Sequence, residues 1–237
     1  EWLDQDPRLR AGIVVPVHYP ELAAREIDRV GGHPGFVQAN LPARTTFPLG
    51  SRINSPIWDA IARNDLVAAI HFGGAPGTPP TPSGWSSYYL EDYAGMAHVV
   101  QSQLVSLITE GTLEVHPGVK VAVLEAGFTW IGPFLWRFDK EWRNLRRLVP
   151  WVRRPPSEYL QEHFRFTIQP LDAPQRDDHF RQAIGPDFYT GRPNVVVQNM
   201  PGAGSLVQAN HVYNVAPQDG TVIGAPSSNV PLQPLLS

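Results

Sequence analysis

The sequence contains no cysteine in its 237 residues. Disulfide bonds and thiolate metal ligands are therefore excluded, and any metal site must use His, Asp or Glu side chains. No apolar run approaches the roughly 18 residues that a membrane-spanning helix needs, so we expect no membrane partner. The formal net charge of −3 at pH 7 provides no electrostatic basis for binding nucleic acid.

The sequence also lacks an initiator methionine. It begins with Glu1 and shows no signal peptide, so we expect it to start inside a longer protein. A hydrophobic content of 42% is typical of a globular chain. The 25 prolines concentrate between the apolar segments, which favours long, ordered connections.

Apolar strands alternate with amphipathic helices along the first two thirds of the chain. Unbroken apolar strands of this kind indicate a parallel sheet that helices cover on both faces. The pattern predicts an α/β fold, a partial (β/α)8 TIM barrel of about five β/α units, since a closed barrel has eight. A doubly wound sheet is the alternative. The predicted strands are 11–15, 35–41, 66–70, 119–124 and 164–168, the predicted helices are 21–30, 55–63, 96–108, 133–149 and 156–162, and a loop is predicted over 73–92.

Two neighbouring strands of the predicted sheet each deliver an ionisable group at their C-terminal end. His71 precedes Gly73, and Glu125 directly follows the fourth strand. Sites in α/β proteins are built at these ends. The alternatives are a hydrogen-bonded buried histidine and a carboxylate held by backbone N–H groups of the turn at Gly127.

Further side chains are candidates for substrate binding at the same edge. His18 and Gln38 are interpreted as lying at or near earlier strand ends. Trp85, with Tyr88 and Tyr89, is predicted either to cover an aromatic or unsaturated acid as a lid, or to anchor the long loop. His98, His116 and His163 are interpreted as helix-surface or loop residues.

Four segments together resemble the amidohydrolase-related family, the metal-dependent (β/α)8 group that includes aminocarboxymuconate-semialdehyde decarboxylase. They are PELAAREIDRV (20–30), AAIHFGG (68–74), HPGVKVAVLEAGFTWIGPFLWRFD (116–139) and PPSEYLQEHFRFTIQP (155–170). The resemblance covers residues 1–179, the middle of the family domain. It implies a cytoplasmic metal-dependent hydrolase or decarboxylase acting on a small carboxylated substrate, and it leaves formation of a homo-oligomer open.

The resemblance also implies roles for individual residues. His71 corresponds to a metal ligand of the family, with zinc as the expected divalent ion, and Glu125 to an acid–base or substrate-contacting group. The family also uses a His-x-His pair and an Asp on its last strand. No His-x-His pair occurs among the eight histidines, and the Asp motif is missing. We therefore expect an incomplete metal site and an inactive chain.

The composition changes after Pro174, and a domain boundary is predicted near 180–185. Residues 180–237 are predicted to form a small βαβ segment, in which 191–225 resembles the substrate-binding receptors of tripartite tricarboxylate transporters. Gly202, Gly204 and Ser205 begin a predicted helix, where backbone N–H groups bind anions, although an ordinary tight turn is equally compatible. The alternative functions are therefore a carboxylate-binding module and a non-functional chimeric fragment.

Overall fold

The computed structural model describes residues 3–167, which form one five-stranded sheet flanked by helices. All strand pairs are parallel, and the strands are arranged in chain order, β1-β2-β3-β4-β5. Parallel strands need long crossover connections, and here each connection contains a helix. The predicted α/β class and the partial-barrel arrangement of β/α units are confirmed. The strands are β1 (Ala11–Val14), β2 (Phe36–Arg44), β3 (Val67–Gly74), β4 (Val121–Leu124) and β5 (Phe164–Phe166).

The helices follow the predicted order, with one addition. The short helix α4 follows Gly111, whose φ of 78° is left-handed and separates α4 from α3. The prediction of helix to residue 149 was too long, because α5 ends at Leu145 and a 3₁₀ turn, Arg146–Leu148, follows. The helices are α1 (Pro20–Val30), α2 (Ser55–Arg63), α3 (Tyr89–Thr109), α4 (Thr112–Val115), α5 (Ile131–Leu145) and α6 (Pro156–His163).

The hydrophobic core lies on one face of the sheet. Along β2 the buried residues alternate, so Ala39, Leu41 and Ala43 face the helices, and the residues between them are only partly buried. Ile70 on β3 and Val123 on β4 continue this buried layer, since register neighbours in a parallel sheet share a face. Within residues 3–167, full burial of both faces is therefore not observed for β2, contrary to the expectation from its apolar run.

The connection from β3 to α3 is shorter than the predicted loop. β3 continues through Gly74, and α3 begins at Tyr89, so the predicted loop limits of 73 and 92 were wrong. The Glu91 side chain accepts a hydrogen bond from the Tyr88 N–H at 2.6 Å, and this capping contact starts the helix early. The apolar stripe that begins at Met96 therefore marks only the buried part of α3.

All described residues belong to the first of two units into which the chain divides, Glu1–Pro186. The second unit, Asp187–Ser237, lies outside the described residues, so the domain assignment 1–179 and 180–237 stays a prediction. Within residues 3–167, none of the helices has the length and hydropathy required to cross a membrane.

Candidate functional site

His71 and Glu125 are brought together at the C-terminal edge of the sheet. His71 lies in β3, beside Pro42 of β2 and Leu124 of β4, and Glu125 directly follows β4. The Nε2 atom of His71 is 3.3 Å from Oε2 of Glu125. Their side chains are 49% and 53% exposed, so both are accessible to a ligand from solvent. The adjacency inferred from two parallel strand ends is therefore observed as a contact.

A backbone contact orients the imidazole of His71. Its Nδ1 lies 2.6 Å from the carbonyl oxygen of Phe72, and a carbonyl only accepts, so Nδ1 carries the hydrogen. The remaining nitrogen, Nε2, faces Glu125. A neutral Nε2 and a carboxylate both present lone pairs, so they approach favourably only when a cation, either a proton or a metal ion, lies between them.

Glu125 occupies a backbone conformation that side chains rarely adopt. Its φ is 54°, in the left-handed region, and Gly127 two residues later has φ of 63°. The Glu125 N–H donates to Oγ1 of Thr167, just beyond β5, at 3.0 Å. A non-glycine residue in this region costs about 1–3 kcal/mol, and such residues cluster at functional sites. The Glu125 carboxylate lies beside the imidazole of His71.

The separation of the pair can be compared with that of ligands in a metal site. Zinc binds nitrogen at about 2.0–2.1 Å and carboxylate oxygen at about 2.0–2.2 Å, and tetrahedral ligands at those distances lie roughly 3.3–3.5 Å apart. A catalytic zinc takes three protein ligands. Residues 3–167 contain no group of three or more His, Cys, Asp or Glu side chains placed to hold a metal ion. Within this part of the chain, the sheet edge therefore does not present a three-ligand metal site, and the role of His71 as a ligand stays a prediction.

His18 lines a cavity of about 260 Å³ next to the ends of β1 and β2. Its Nε2 is 3.5 Å from Oγ1 of Thr46, and Asn54 contributes a buried amide to the same cavity. A role in substrate binding stays a prediction for His18. The placement of Gln38 near a strand end was wrong, because β2 continues to Arg44, and the Gln38 amide donates to Asn40 within the strand at 2.8 Å.

The aromatic residues just before and at the start of α3 are exposed to solvent. Trp85 is 74% exposed, and Tyr88 and Tyr89 are exposed to a similar degree. Tyr88 precedes the first turn of α3 and Tyr89 begins it. The lid function of Trp85 stays a prediction. Gly202, Gly204 and Ser205 lie outside the described residues, so the anion site and the receptor likeness of the tail also stay predictions.

The sequence-based prediction did not include a buried ion pair that lies next to the site. Arg44 at the end of β2 binds Asp92 in the first turn of α3, and the two side chains are only 16% and 12% exposed. The guanidinium also lies 5.0 Å from the ring centroid of Phe72, the residue after His71. The only local signal was an isolated basic residue ending an apolar strand, which does not identify its partner.

Of the histidines interpreted as helix-surface or loop residues, His163 is instead buried, whereas His116 lies in the loop after α4 but is largely shielded from solvent. The side chain of His163 is fully buried at the end of α6, and its Nδ1 lies 2.9 Å from the Val119 carbonyl oxygen. His116 is 12% exposed and lies 3.4 Å from Asp59 in a second cavity, of about 360 Å³. Burial lowers the pKa of His116 below its ordinary value, although the nearby Asp59 carboxylate opposes that shift.

Comparison with known proteins gives a family and a fold. A sequence model of the amidohydrolase family matches residues 1–187. No curated protein matches the chain significantly. Among solved structures, a protein of Staphylococcus aureus that is assigned as an amidohydrolase is 19% identical to this chain, with a TM-score of 0.60. The match covers 78% of this chain and 61% of that one.

Two decarboxylases have the same fold. Manganese-bound 5-carboxyvanillate decarboxylase of Novosphingobium aromaticivorans is 20% identical with a TM-score of 0.59, covering 77% of this chain and 54% of that one. Dihydroxybenzoic acid decarboxylase of Polaromonas, with bound manganese and 2-nitroresorcinol, is 21% identical with a TM-score of 0.54, covering 69% and 52%. This chain thus spans about half the length of these structures, and at such identities the likeness establishes the fold alone.

Proposed function

The chain belongs to the amidohydrolase family, and from that premise we propose a metal-dependent hydrolase or decarboxylase acting on a small carboxylated substrate. The observation that carries the proposal is the contact between His71 and Glu125 at the ends of adjacent parallel strands. These ends form the catalytic edge in (β/α)8 enzymes. The pair is half-exposed there, so a substrate has access to it.

The substrate class is narrowed by the solved structures with the same fold. They include decarboxylases of 5-carboxyvanillate and of a dihydroxybenzoic acid. We therefore propose an aromatic carboxylic acid as the substrate of this chain.

The proposal assigns one role to His71 and two alternative roles to Glu125. His71 would hold a divalent ion through Nε2, because its Nδ1 hydrogen is engaged by the Phe72 carbonyl. When bound, such an ion supplies Lewis-acid polarisation and a more acidic bound water. Zinc and manganese both suit a nitrogen and oxygen ligand set. Glu125 can serve either as a proton carrier or as a second ligand, and the roles differ in whether replacing Glu125 changes metal affinity.

The proposal is tested by metal binding to the full chain. After removal of metal with chelator, equilibrium dialysis against zinc and manganese should show one ion bound per chain. His71→Ala should lose that ion, whereas His98→Ala, which removes an exposed histidine from α3, should keep it. Absence of binding to the wild-type chain, or equal binding by His71→Ala, would contradict a metal-dependent function.

Turnover by the chain itself is expected to be low. The described residues supply two metal-binding side chains at the sheet edge, and a catalytic zinc takes three. Incubation of the metal-loaded chain with hydroxylated benzoic acids, followed by measurement of released carbon dioxide, checks this expectation. Rapid release that depends on His71 would show that a complete site forms.

A further inference from the structure

We propose that the cavity between α2 and α4 binds a small organic cation, an ammonium or guanidinium group on an apolar or aromatic stem. This cavity has a volume of about 360 Å³, and none of the residues that line it within 3–167 belongs to a strand. It is therefore separate from the strand ends that carry His71 and Glu125. The inference does not depend on the metal-dependent function proposed above.

The charged side chains around the cavity are mainly carboxylates. Asp59 of α2 and Glu114 of α4 line it together with Glu110, which follows α3. Arg52 brings a positive charge, but its side chain is 80% exposed and lies 3.9 Å from Glu110. Burial keeps the pKa of His116 below its ordinary value, so its imidazole is largely uncharged at pH 7. Three negative charges and one positive charge therefore surround the cavity, and this balance attracts cations.

The arrangement of these carboxylates favours an organic cation over a metal ion. Residues 3–167 contain no group of three or more His, Asp or Glu side chains placed to hold a metal. A metal ion needs all its ligands within about 2.0–2.6 Å, whereas the N–H groups of a guanidinium or ammonium ligand can reach acceptors that lie farther apart. The volume of about 360 Å³ also lies within the roughly 300–1,000 Å³ of small-molecule sites.

Thr112 supplies a hydroxyl group to the same cavity. The residue begins α4 and is only 8% exposed, yet it is among those that line the cavity. Within residues 3–167 the hydroxyl has no hydrogen-bond partner. Because buried polar groups are nearly always hydrogen-bonded, the unused Oγ1 of Thr112 is expected to accept an N–H of the ligand.

The indole of Trp151 provides an aromatic wall in a fixed orientation. Its Nε1–H donates to the carbonyl oxygen of Thr109 at 2.7 Å. The ring packs against Gly111, where a Cβ would lie 2.7 Å from Cδ1 of Trp151, so a residue with a side chain would displace the ring. A cation placed over an indole is attracted by the electrons of the ring. Trp151 therefore favours a charged ligand over a neutral one of the same shape.

Calorimetric titration of the full chain with benzylamine tests the proposal. Benzyl alcohol is the matched ligand, because it has nearly the same shape and carries no charge. Benzylamine should bind in a saturable manner and at least about tenfold more tightly than benzyl alcohol, since hydrogen bonds assisted by charge are roughly twice as strong as neutral ones.

Variants of the lining residues locate the binding site. Glu110→Gln should weaken benzylamine binding about threefold, and Arg52→Gln should strengthen it by a similar factor because a competing cation is removed. Thr112→Val, which removes the hydroxyl and keeps the shape, should weaken binding about fivefold. Glu141→Gln is the matched control, because Glu141 lies on α5 and pairs with Lys140 at 2.9 Å. The control should retain wild-type affinity.

Thermal melts of each variant establish that it is folded before affinities are compared. Equal affinities for benzylamine and benzyl alcohol, or no saturable binding of benzylamine up to about 10 mM, would overturn the proposal. Equal weakening by Glu110→Gln and Glu141→Gln would also overturn it, because the general charge of the protein would then attract the ligand. If Thr112→Val does not fold, the opposite effects expected for Glu110→Gln and Arg52→Gln still decide the question.

Discussion

Both carboxylate oxygens of Asp92 accept hydrogen bonds from Nη1 of Arg44, each at 3.1 Å. The pair connects the end of β2 to the first turn of α3, and the guanidinium covers the ring of Phe72 beside His71. When an ion pair is shielded from water in this way, removal of either partner leaves an uncompensated buried charge and destabilises the protein strongly. The contact therefore fixes the segment before α3 next to the candidate site.

Replacement of Asp92 by Asn should destabilise the protein by about 3 kcal/mol, because it leaves the Arg44 cation buried without its counter-charge. The measurement is chemical denaturation followed by circular dichroism. The double variant Arg44→Met with Asp92→Asn should recover part of that loss. A double variant no more stable than Asp92→Asn alone would show that uncompensated charge is not the cause.

Replacement of Glu125 by Gly should raise the free energy of unfolding by about 0.5–1 kcal/mol, although it removes a proposed ligand. Relief of left-handed strain outweighs the added freedom of glycine in the unfolded chain. Denaturation in the presence of chelator measures the effect without a contribution from bound metal. Ala126→Gly, at the buried neighbouring position, is the control and should lower stability. A destabilised Glu125→Gly protein would indicate that the left-handed backbone is not a source of strain.

The stability of the protein should fall as the pH decreases below about 6.5, and His116 should contribute to that fall. Burial lowers its pKa in the folded state below the ordinary 6.5, so the unfolded chain binds more protons in this range. The stabilisation is present above pH 6.5 and is lost as the pH falls through the folded-state pKa. His116→Gln should flatten the profile measured by urea denaturation. A profile unchanged by His116→Gln would contradict this assignment.

Gly50 is required by close packing between the loop after β2 and α3. A Cβ at this position would lie 2.4 Å from the backbone oxygen of Ser106, which cannot rotate away. Gly50→Ala should therefore destabilise the protein by about 1–3 kcal/mol. Gly132→Ala is the matched control, because nothing lies within 4 Å of its added carbon and alanine favours helix. Equal stabilities of the two variants would exclude the clash.

Much of the fold is predictable from the sequence because the signals are local. The run before His71 and the one before Glu125 predict parallel strands whose ends meet, and the contact between these residues confirms that expectation. The lengths of β2 and β3 were underestimated because Arg44 and Gly74 give no apolar signal, although they pair with each other beyond a shift in the strand register. The lengths of β1, β4 and β5 were overestimated by one or two residues. Whether such residues belong to a strand depends on hydrogen bonds to the backbone of the neighbouring strand and not on their residue type.

The elements that the sequence did not predict depend on partners distant in the chain. Arg44 and Asp92 are 48 residues apart, so no local pattern connects them. The burial of His163 depends on the Val119 carbonyl, which lies 44 residues earlier. The left-handed backbone of Glu125 likewise has no signal in the sequence, because Glu125 is not a typical turn-forming residue and its N–H donates to the distant Thr167.

The order of the strands has a consequence for how the chain folds. Each strand pairs with the strand that follows it in sequence, and no pair encloses another strand, so the sheet can extend by one unit at a time. The connection from Ala68 to Val121 is the longest of the four that close a strand pair. Because the entropy of closing a loop grows only slowly with its length, this connection costs little more to close than the one from Val121 to Phe164. His71 lies on β3 and Glu125 directly follows β4, so their contact can form only after these two strands have paired.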